Sequence, residues 1–125
     1  MELLNAYENY KEFNNNFVNF INKLISNNLE DMDRSEIEDK LNEGRDFFSN
    51  LQTQCEAIKI EDTDIDNLKD LQYLIADGLF LTIDLIRFYS INEYDRFKMR
   101  ASNYINKGRL TEMFKQSKNC SIMDL

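Results

Sequence analysis

Three aspartates at alternate positions, Asp62, Asp64 and Asp66, resemble a metal site more than any other stretch of the chain. Carboxylates with this spacing fill positions one, three and five of an EF-hand calcium loop. Such a loop also needs glycine at position six and glutamate at position twelve, where this chain has Asn67 and Tyr73. Carboxylates are equally favoured in the first turn of a helix, where they face unpaired amides and the positive end of the dipole. We therefore predict that these residues begin a helix and hold no metal.

Acidic residues on facing helices are the second arrangement that could do chemistry. Helical nucleotide pyrophosphohydrolases gather magnesium in this way, and the candidates here are Glu36 and Asp39 together with Asp66 and either Asp70 or Asp77. Both sets lie away from the apolar seams of their helices, which is typical of a solvated face. We keep a magnesium-dependent hydrolase as the alternative and predict a non-enzymatic protein without a cofactor.

Missing residue types exclude several other chemistries. The chain has no histidine, which removes serine and cysteine triads and the two-histidine zinc sites. Glycine-rich phosphate loops and the GxSxG motif are also absent from the sequence. The two cysteines, Cys55 and Cys120, are far apart, which favours reduced thiols over a disulfide framework.

The composition predicts an all-α protein. Proline is absent, glycine occurs three times, and 42% of the residues are hydrophobic. We expect one domain over residues 1–118 and a frayed tail over 119–125. We find no signal peptide or membrane span in the sequence, so we expect a cytoplasmic protein. Sixteen asparagines indicate an AT-rich coding sequence, as in a low-GC bacterium or a phage acting in the host cytoplasm.

Apolar residues recur at helical steps in four segments joined by short connections, which predicts an antiparallel four-helix bundle. Capping boxes at Ser35 and Ser90 are expected to start the second and fourth helices, and the third should run from about Ile65 to Phe88. Gly108 either ends the fourth helix, leaving a short fifth helix, or lies within it. The predicted seams are Leu3, Ala6, Tyr10, Phe13, Phe17, Phe20 and Leu24; Ile37, Leu41, Gly44, Phe48, Leu51, Cys55 and Ile58; and Tyr94, Phe97, Ala101, Tyr104, Ile105 and Gly108.

The third helix carries more apolar surface than a bundle member normally buries, and its polar line is one residue wide: Asp66, Asp70, Asp77 and Asp84. We predict that a second copy covers the excess, giving a homodimer. Alternatively, a fifth segment with Leu110, Met113 and Phe114 folds back over it. The predicted self-association residues are Leu74, Gly78, Leu81, Leu85 and Phe88.

Charge is distributed unevenly along the chain. Residues 1–95 hold eight Lys and Arg against twenty-one Asp and Glu, net −13, whereas residues 96–125 hold seven against two, net +5. The basic segment comprises Arg96, Lys98, Arg100, Lys107 and Arg109. It could lie against the acidic body or, less readily, contact nucleic acid. The predicted acidic partner-binding residues are Asp31, Asp33, Glu36, Asp39, Glu43, Asp62, Asp64, Asp66 and Asp70.

These features favour an acidic interaction protein that binds a basic surface of a larger protein. An inhibitor of a nucleic-acid enzyme encoded by a phage or mobile element has this character, as does an immunity protein or antitoxin. A regulator that binds a partner helix in an apolar groove is a further alternative.

Overall fold

The computed structural model describes residues 2–30 and 32–107, and this part of the chain is helical without a strand. It contains α1 (Glu2–Ser26), α2 (Arg34–Glu56), a one-turn 3-10 helix (Asp62–Asp64) and α3 (Ile65–Ser90). A fourth helix, α4, covers residues 94–107. The all-α prediction is confirmed. The predicted fifth helix, the domain boundary at residue 118 and Gly108 lie outside the described residues.

The four helices form a ring in which each is antiparallel to its two neighbours. Early residues of one helix meet late residues of the next, first between α1 and α2, then between α2 and α3, α3 and α4, and α4 and α1. This order confirms the predicted antiparallel four-helix bundle. The contacts that establish it are Phe13 with Phe47, Lys40 with Phe20, Phe48 with Gly78, Arg34 with Tyr89, Arg100 with Asp84, Lys107 with Asp77, Tyr104 with Asn14, and Lys98 with Asn28.

Left-handed residues close α1 and α3: Asn28 and Leu29 follow α1, and Asn92 follows α3. Asn28 and Asn92 have φ angles of 57° and 61°. After α1, the amide of Leu29 donates to the carbonyl of Leu24 at 2.8 Å, and after α3 the amide of Glu93 donates to the carbonyl of Phe88 at 2.8 Å. Both turns are Schellman motifs, which usually place glycine at the left-handed position. Asparagine tolerates that conformation, so the chain ends two helices without using glycine.

The predicted capping boxes are wrong at both positions. α2 begins at Arg34, with Asp33 as its N-cap in extended conformation, so Ser35 already lies within the helix. Ser90 is the last residue of α3, and its hydroxyl donates to the carbonyl of Arg87 at 2.8 Å. At Ser90, the same residues form the Schellman turn that ends α3, so they are not available for a capping box at the start of α4. The predicted helix start at residues 62–66 is confirmed, because Asp62–Asp64 form the 3-10 turn that leads into α3.

Arg34 fastens the start of α2 to the turn between α3 and α4. Its guanidinium donates to the carbonyl of Tyr89 at 3.1 Å and to Oδ1 of Asn92 at 3.0 Å. The same group lies 4.7 Å from the centre of the Tyr89 ring and pairs with Glu38 at 3.1 Å. Arginine suits this position because its planar fork can bond several acceptors while stacking on a ring.

The core is centred on Phe48, which is fully buried. Its ring meets those of Phe13, Phe17 and Phe47 edge to face, at centroid distances of 5.5, 6.1 and 6.0 Å. The seam predicted for α2 is buried from Ile37 to Cys55. On α1 the buried line shifts to include Ile21, while Phe13 and Phe20 are only partly buried.

Cys55 is fully buried and makes no disulfide within the described residues. Burial raises the pKa of its thiol, because the thiolate would lose its hydration. A thiol kept protonated and out of solvent is unreactive, which agrees with its predicted role as a small core residue.

Two tyrosines join α1 to α4 through polar contacts inside the core. The hydroxyl of Tyr104 donates to Oδ1 of Asn14 at 2.7 Å, and the buried phenol of Tyr10 lies near that of Tyr104. Burial raises the pKa of both phenols, most strongly that of Tyr104, where the neighbouring Tyr10 adds to the shift. The folded state therefore favours the neutral form of Tyr104.

Adding a methyl group at Gly78 should destabilise the bundle. A Cβ built there lies 2.8 Å from Cζ of the buried Phe48 ring, and overpacking of this kind costs about 1–3 kcal/mol. The higher helix propensity of alanine offsets about 1 kcal/mol of this destabilisation. We expect Gly78→Ala to lower the free energy of unfolding in urea titrations by about 1 kcal/mol or more. An exposed control, Asn50→Ala, should change it by less than about 0.5 kcal/mol.

A double-mutant cycle identifies the clash as the cause. Gly78→Ala should cost less in a Phe48→Leu background, because leucine leaves room where the ring lay. An equal cost in both backgrounds would contradict the proposed steric origin.

Stability should fall at alkaline pH because the Tyr104 phenol must ionise out of a buried site. The folded-state pKa of Tyr104 lies above the unfolded value of about 10. The free energy of unfolding is therefore unaffected by this phenol below about pH 10, and it falls as the pH rises further because the unfolded chain ionises first. Tyr104→Phe should lose about 1 kcal/mol at pH 8, through the missing bond to Asn14, yet show a shallower alkaline decline. Urea midpoints between pH 8 and 11 test this, with the exposed Tyr73→Phe as control. An unchanged alkaline slope in Tyr104→Phe would refute the assignment.

Candidate functional site

The outer side of α2 carries a line of carboxylates, here called the α2 acidic line: Glu36, Asp39 and Glu43. Steps of three and four residues place them on one face of the helix. All three are exposed, and none makes an ion pair with another described residue. Asp33, at the N-cap, is exposed beside them, whereas Asp31 lies outside the described residues. The α2 acidic line therefore presents its charge directly to solvent.

A second acidic group, the end cluster, lies where α2 gives way to α3. It consists of the exposed residues Asp62, Asp64, Asp66 and Asp70. Asp39 precedes the last residue of α2 by 17 positions, which at 1.5 Å per residue corresponds to roughly 26 Å along the helix. The predicted acidic residues thus form two separate surfaces at opposite ends of the bundle.

This separation bears on the magnesium site considered above. Glu36 and Asp39 lie on the α2 acidic line, whereas Asp66 and Asp70 belong to the end cluster. Within residues 2–30 and 32–107, no three acidic or cysteine side chains come together as a metal site would require. The convergence that the hydrolase alternative predicted for these four carboxylates is therefore not found in the described structure.

Two cations of the basic segment pair with α3. Nε of Arg100 lies 2.9 Å from Asp84, and Nζ of Lys107 lies 3.3 Å from Asp77. Both carboxylates are half-buried, so part of the polar line predicted to be the wet side of α3 is covered by α4. Sequence spacing alone could not show this, because a polar line can face either solvent or a neighbouring helix of opposite charge.

Arg96 and Lys98, the other described residues of the basic segment, also have local partners. Nζ of Lys98 donates to Oδ1 of Asn28 at 2.7 Å, and Nε of Arg96 lies 3.3 Å from Glu93. Arg109 lies outside the described residues. The contacts agree with the interpretation that the basic segment lies against the acidic body.

The residues predicted for self-association lie mainly inside the bundle. Gly78, Leu81 and Leu85 are buried within a single copy of the chain, and Leu74 and Phe88 are partly buried. This placement is a correction, because a second copy cannot reach Leu81 and Leu85 without opening the bundle. α4 packs along this side of α3, where Arg100 and Lys107 pair with Asp84 and Asp77 close to Leu81 in the helix.

A different set of apolar residues on α3 faces solvent. Tyr73, Phe80 and Ile83 are 66%, 60% and 42% exposed. They belong to a line with steps of four and three residues, opposite the buried side of the helix. This α3 outer line consists of Lys69, Tyr73, Ala76, Phe80, Ile83 and Arg87. The sequence contains this spacing, but the aspartate line, as the only polar line of α3, predicts a different outer side.

Other features of the described surface suggest few additional sites. A shallow cleft of about 140 Å³ between α2 and α3 is lined by residues that include Glu38, Asn42 and Ile86. Small-molecule sites usually enclose about 300–1,000 Å³. None of the described helices has the length and apolar character that a membrane span requires.

No protein-family model, curated protein or solved structure matches this chain. The candidate surfaces are therefore judged on their own geometry: the α2 acidic line, the end cluster and the α3 outer line.

The ion pair between Arg100 and Asp84 should contribute measurably to stability. Both side chains are partly shielded from solvent, 27% and 39% exposed, so we expect a coupling energy of about 0.5–1 kcal/mol from the cycle of Arg100→Gln and Asp84→Asn. The exposed pair of Arg96 and Glu93 is the matched control and should couple by less than about 0.3 kcal/mol. Urea titrations at low and high salt measure both. Equal coupling for the two pairs would show that the α3–α4 contact has no special role.

Proposed function

We propose that this protein is a non-enzymatic, acidic interaction protein whose α2 acidic line binds a basic surface of a larger protein. The observation that supports this is the exposure of Glu36, Asp39 and Glu43 without an ion pair to any described cation. The neighbouring Lys40 lies over the Phe20 ring. Arg100 and Lys107 pair with α3 instead, which leaves the charge of α2 available to a partner.

The geometry of α2 suits recognition by electrostatic complementarity. Glu36 and Glu43 are seven residues apart, or roughly 10 Å along the helix axis, and Asp39 lies between them. A rigid line of negative charge attracts a basic site from a distance and speeds association. A basic site that normally holds the phosphates of a nucleic acid would accept such a line, because it is built to neutralise regularly spaced negative charge.

Within this function, the role we favour is that of an inhibitor or antagonist acting in the cytoplasm. A phage- or mobile-element-encoded inhibitor of a nucleic-acid enzyme would occupy the enzyme's basic site, and an immunity protein or antitoxin would mask that of a toxin. The overall charge of −8 supports either version. We also propose that the chain associates with itself, because α3 leaves large apolar side chains in solvent.

Neutralising the α2 acidic line should abolish capture of the partner. We expect the full chain to retain a basic protein from a host lysate at low salt and to release it in high salt, since exposed charge pairs are screened. The variant Glu36→Gln/Asp39→Asn/Glu43→Gln should retain at least about tenfold less, because three charge contacts are lost together. Quantitative mass spectrometry of the retained proteins gives the readout.

A matched variant separates a local effect from a change in net charge. Glu8→Gln/Glu12→Gln/Glu56→Gln removes the same three charges from exposed positions away from the α2 acidic line and should retain the partner like the parent chain. Equal loss in both variants, or none in either, would overturn the assignment to α2. Loss confined to Asp62→Asn/Asp64→Asn/Asp66→Asn would transfer the binding role to the end cluster.

A further inference from the structure

We infer that the α3 outer line is a self-association surface on which two copies pack antiparallel, about a two-fold axis near the level of Gly78. The inference rests on the proposed self-association but not on the basic partner, and it replaces the buried residues predicted from sequence with ones that a second copy can reach. Tyr73 and Phe80 are 66% and 60% exposed, an unusual exposure for aromatic side chains on the outer side of a helix.

The spacing of the α3 outer line is the first evidence. Its six residues lie in pairs at equal distances on either side of position 78: 76 with 80, 73 with 83, and 69 with 87. In an antiparallel pair centred there, the members of each pair face one another across the two-fold axis. Phe80 of one copy then lies over Ala76 of the other, and Tyr73 lies over Ile83. Large residues opposite small ones allow two helices to interdigitate.

Charge complementarity at the ends of the line is the second evidence. The arrangement places Arg87 of one copy opposite Lys69 of the other, so complementarity comes from Asp66 and Asp70, the carboxylates that flank Lys69. Asp66 and Asp70 lie three residues before and one residue after Lys69. These carboxylates are exposed, and neither they nor Arg87 make an ion pair within the described residues. A parallel pair would instead place Arg87 against Arg87, where the nearest carboxylate along the helix, Asp84, is already paired with Arg100.

The apolar area of the α3 outer line determines how tightly two copies should bind. Three partly exposed apolar side chains on each copy can bury on the order of 300 Å², less than half of the roughly 800 Å² per partner in a standard specific interface. The dimer should therefore be weak and depend on protein concentration. The α2 acidic line does not need to be covered in it, whereas Asp66 and Asp70 of the end cluster lie at its edge.

Sedimentation equilibrium of the full chain tests the surface. We expect the mean mass to rise from 14.9 kDa toward twice that value between about 10 µM and about 1 mM, the range of a small interface. Phe80→Glu should weaken dimerisation at least about tenfold, because it puts a charge at the centre of the contact. Leu4→Glu, at an equally exposed leucine on α1, should behave like the parent chain.

Failure of the inference and failure of self-association give different results. A parent chain that stays at 14.9 kDa up to about 1 mM removes the dimer altogether. A Phe80→Glu chain that dimerises like the parent keeps the dimer but overturns this interface. In a persistent monomer, a disulfide between Phe80→Cys and Phe114→Cys of the same chain would assign the α3 outer line to the segment after residue 107.

Disulfide trapping tests the orientation of the two copies. In a Cys120→Ser background, a mixture of Tyr73→Cys and Ile83→Cys chains should form the mixed disulfide dimer on oxidation, since facing positions of packed helices lie within bridging distance. Each variant alone should crosslink at least about tenfold less, because its two cysteines lie at opposite ends of the contact. Efficient crosslinking of Tyr73→Cys with itself would indicate a parallel pair and overturn the proposal.

Discussion

The close approach of aromatic rings to two glycines is the constraint on which this bundle depends. Phe48 of α2 fits against Gly78 of α3, and Phe17 of α1 fits against Gly44 of α2. Any larger residue would push a helix outward, because a Cβ at Gly44 would lie 2.7 Å from the Phe17 ring. Rings and glycines together set the spacing of α1, α2 and α3. These helices in turn place the α2 acidic line and the α3 outer line on the outside.

The α3–α4 side of the bundle is neutralised by ion pairs, whereas the α2 side stays acidic. The cations of α4 are paired with α3 at Asp84 and Asp77, so the positive segment neutralises aspartates that would otherwise repel the other acidic helices. α2 receives no such compensation along Glu36, Asp39 and Glu43. A chain with segregated positive and negative segments thus folds into a body that keeps one helix acidic, which is the property that a partner with a basic surface would recognise.

The fold could be predicted from the sequence more completely than the surfaces. The aspartates at 62, 64 and 66 predict the start of α3, because carboxylates are favoured in a first turn. Apolar spacing predicts α2 from Ile37 to Cys55, because a buried seam repeats with the period of the helix. The same spacing cannot tell which neighbour covers a given side. The spacing therefore predicts a dimer through Leu81 and Leu85, which are buried within one copy, and does not predict that Phe80 is exposed.

The remaining differences between the sequence predictions and the structure arise from contacts between residues that are far apart in the chain. The capping boxes at Ser35 and Ser90 match a sequence rule, but helix ends also depend on what the adjoining turn contacts, and here the turn after α3 is held by Arg34. For the acidic residues, exposure was predictable from their distance to the seams. Their division into the α2 acidic line and the end cluster required knowledge of how far α2 extends.

The attachment of Arg34 to the carbonyl of Tyr89 and the side chain of Asn92 has a consequence for recognition. It immobilises the first turn of α2, so Glu36 starts from a backbone that is already ordered before any encounter. A surface with little freedom left to lose forfeits less entropy on complex formation. Selectivity would then rest on how well a rigid array of carboxylates matches the spacing of the opposing cations, and partners that require the helix to bend would be rejected.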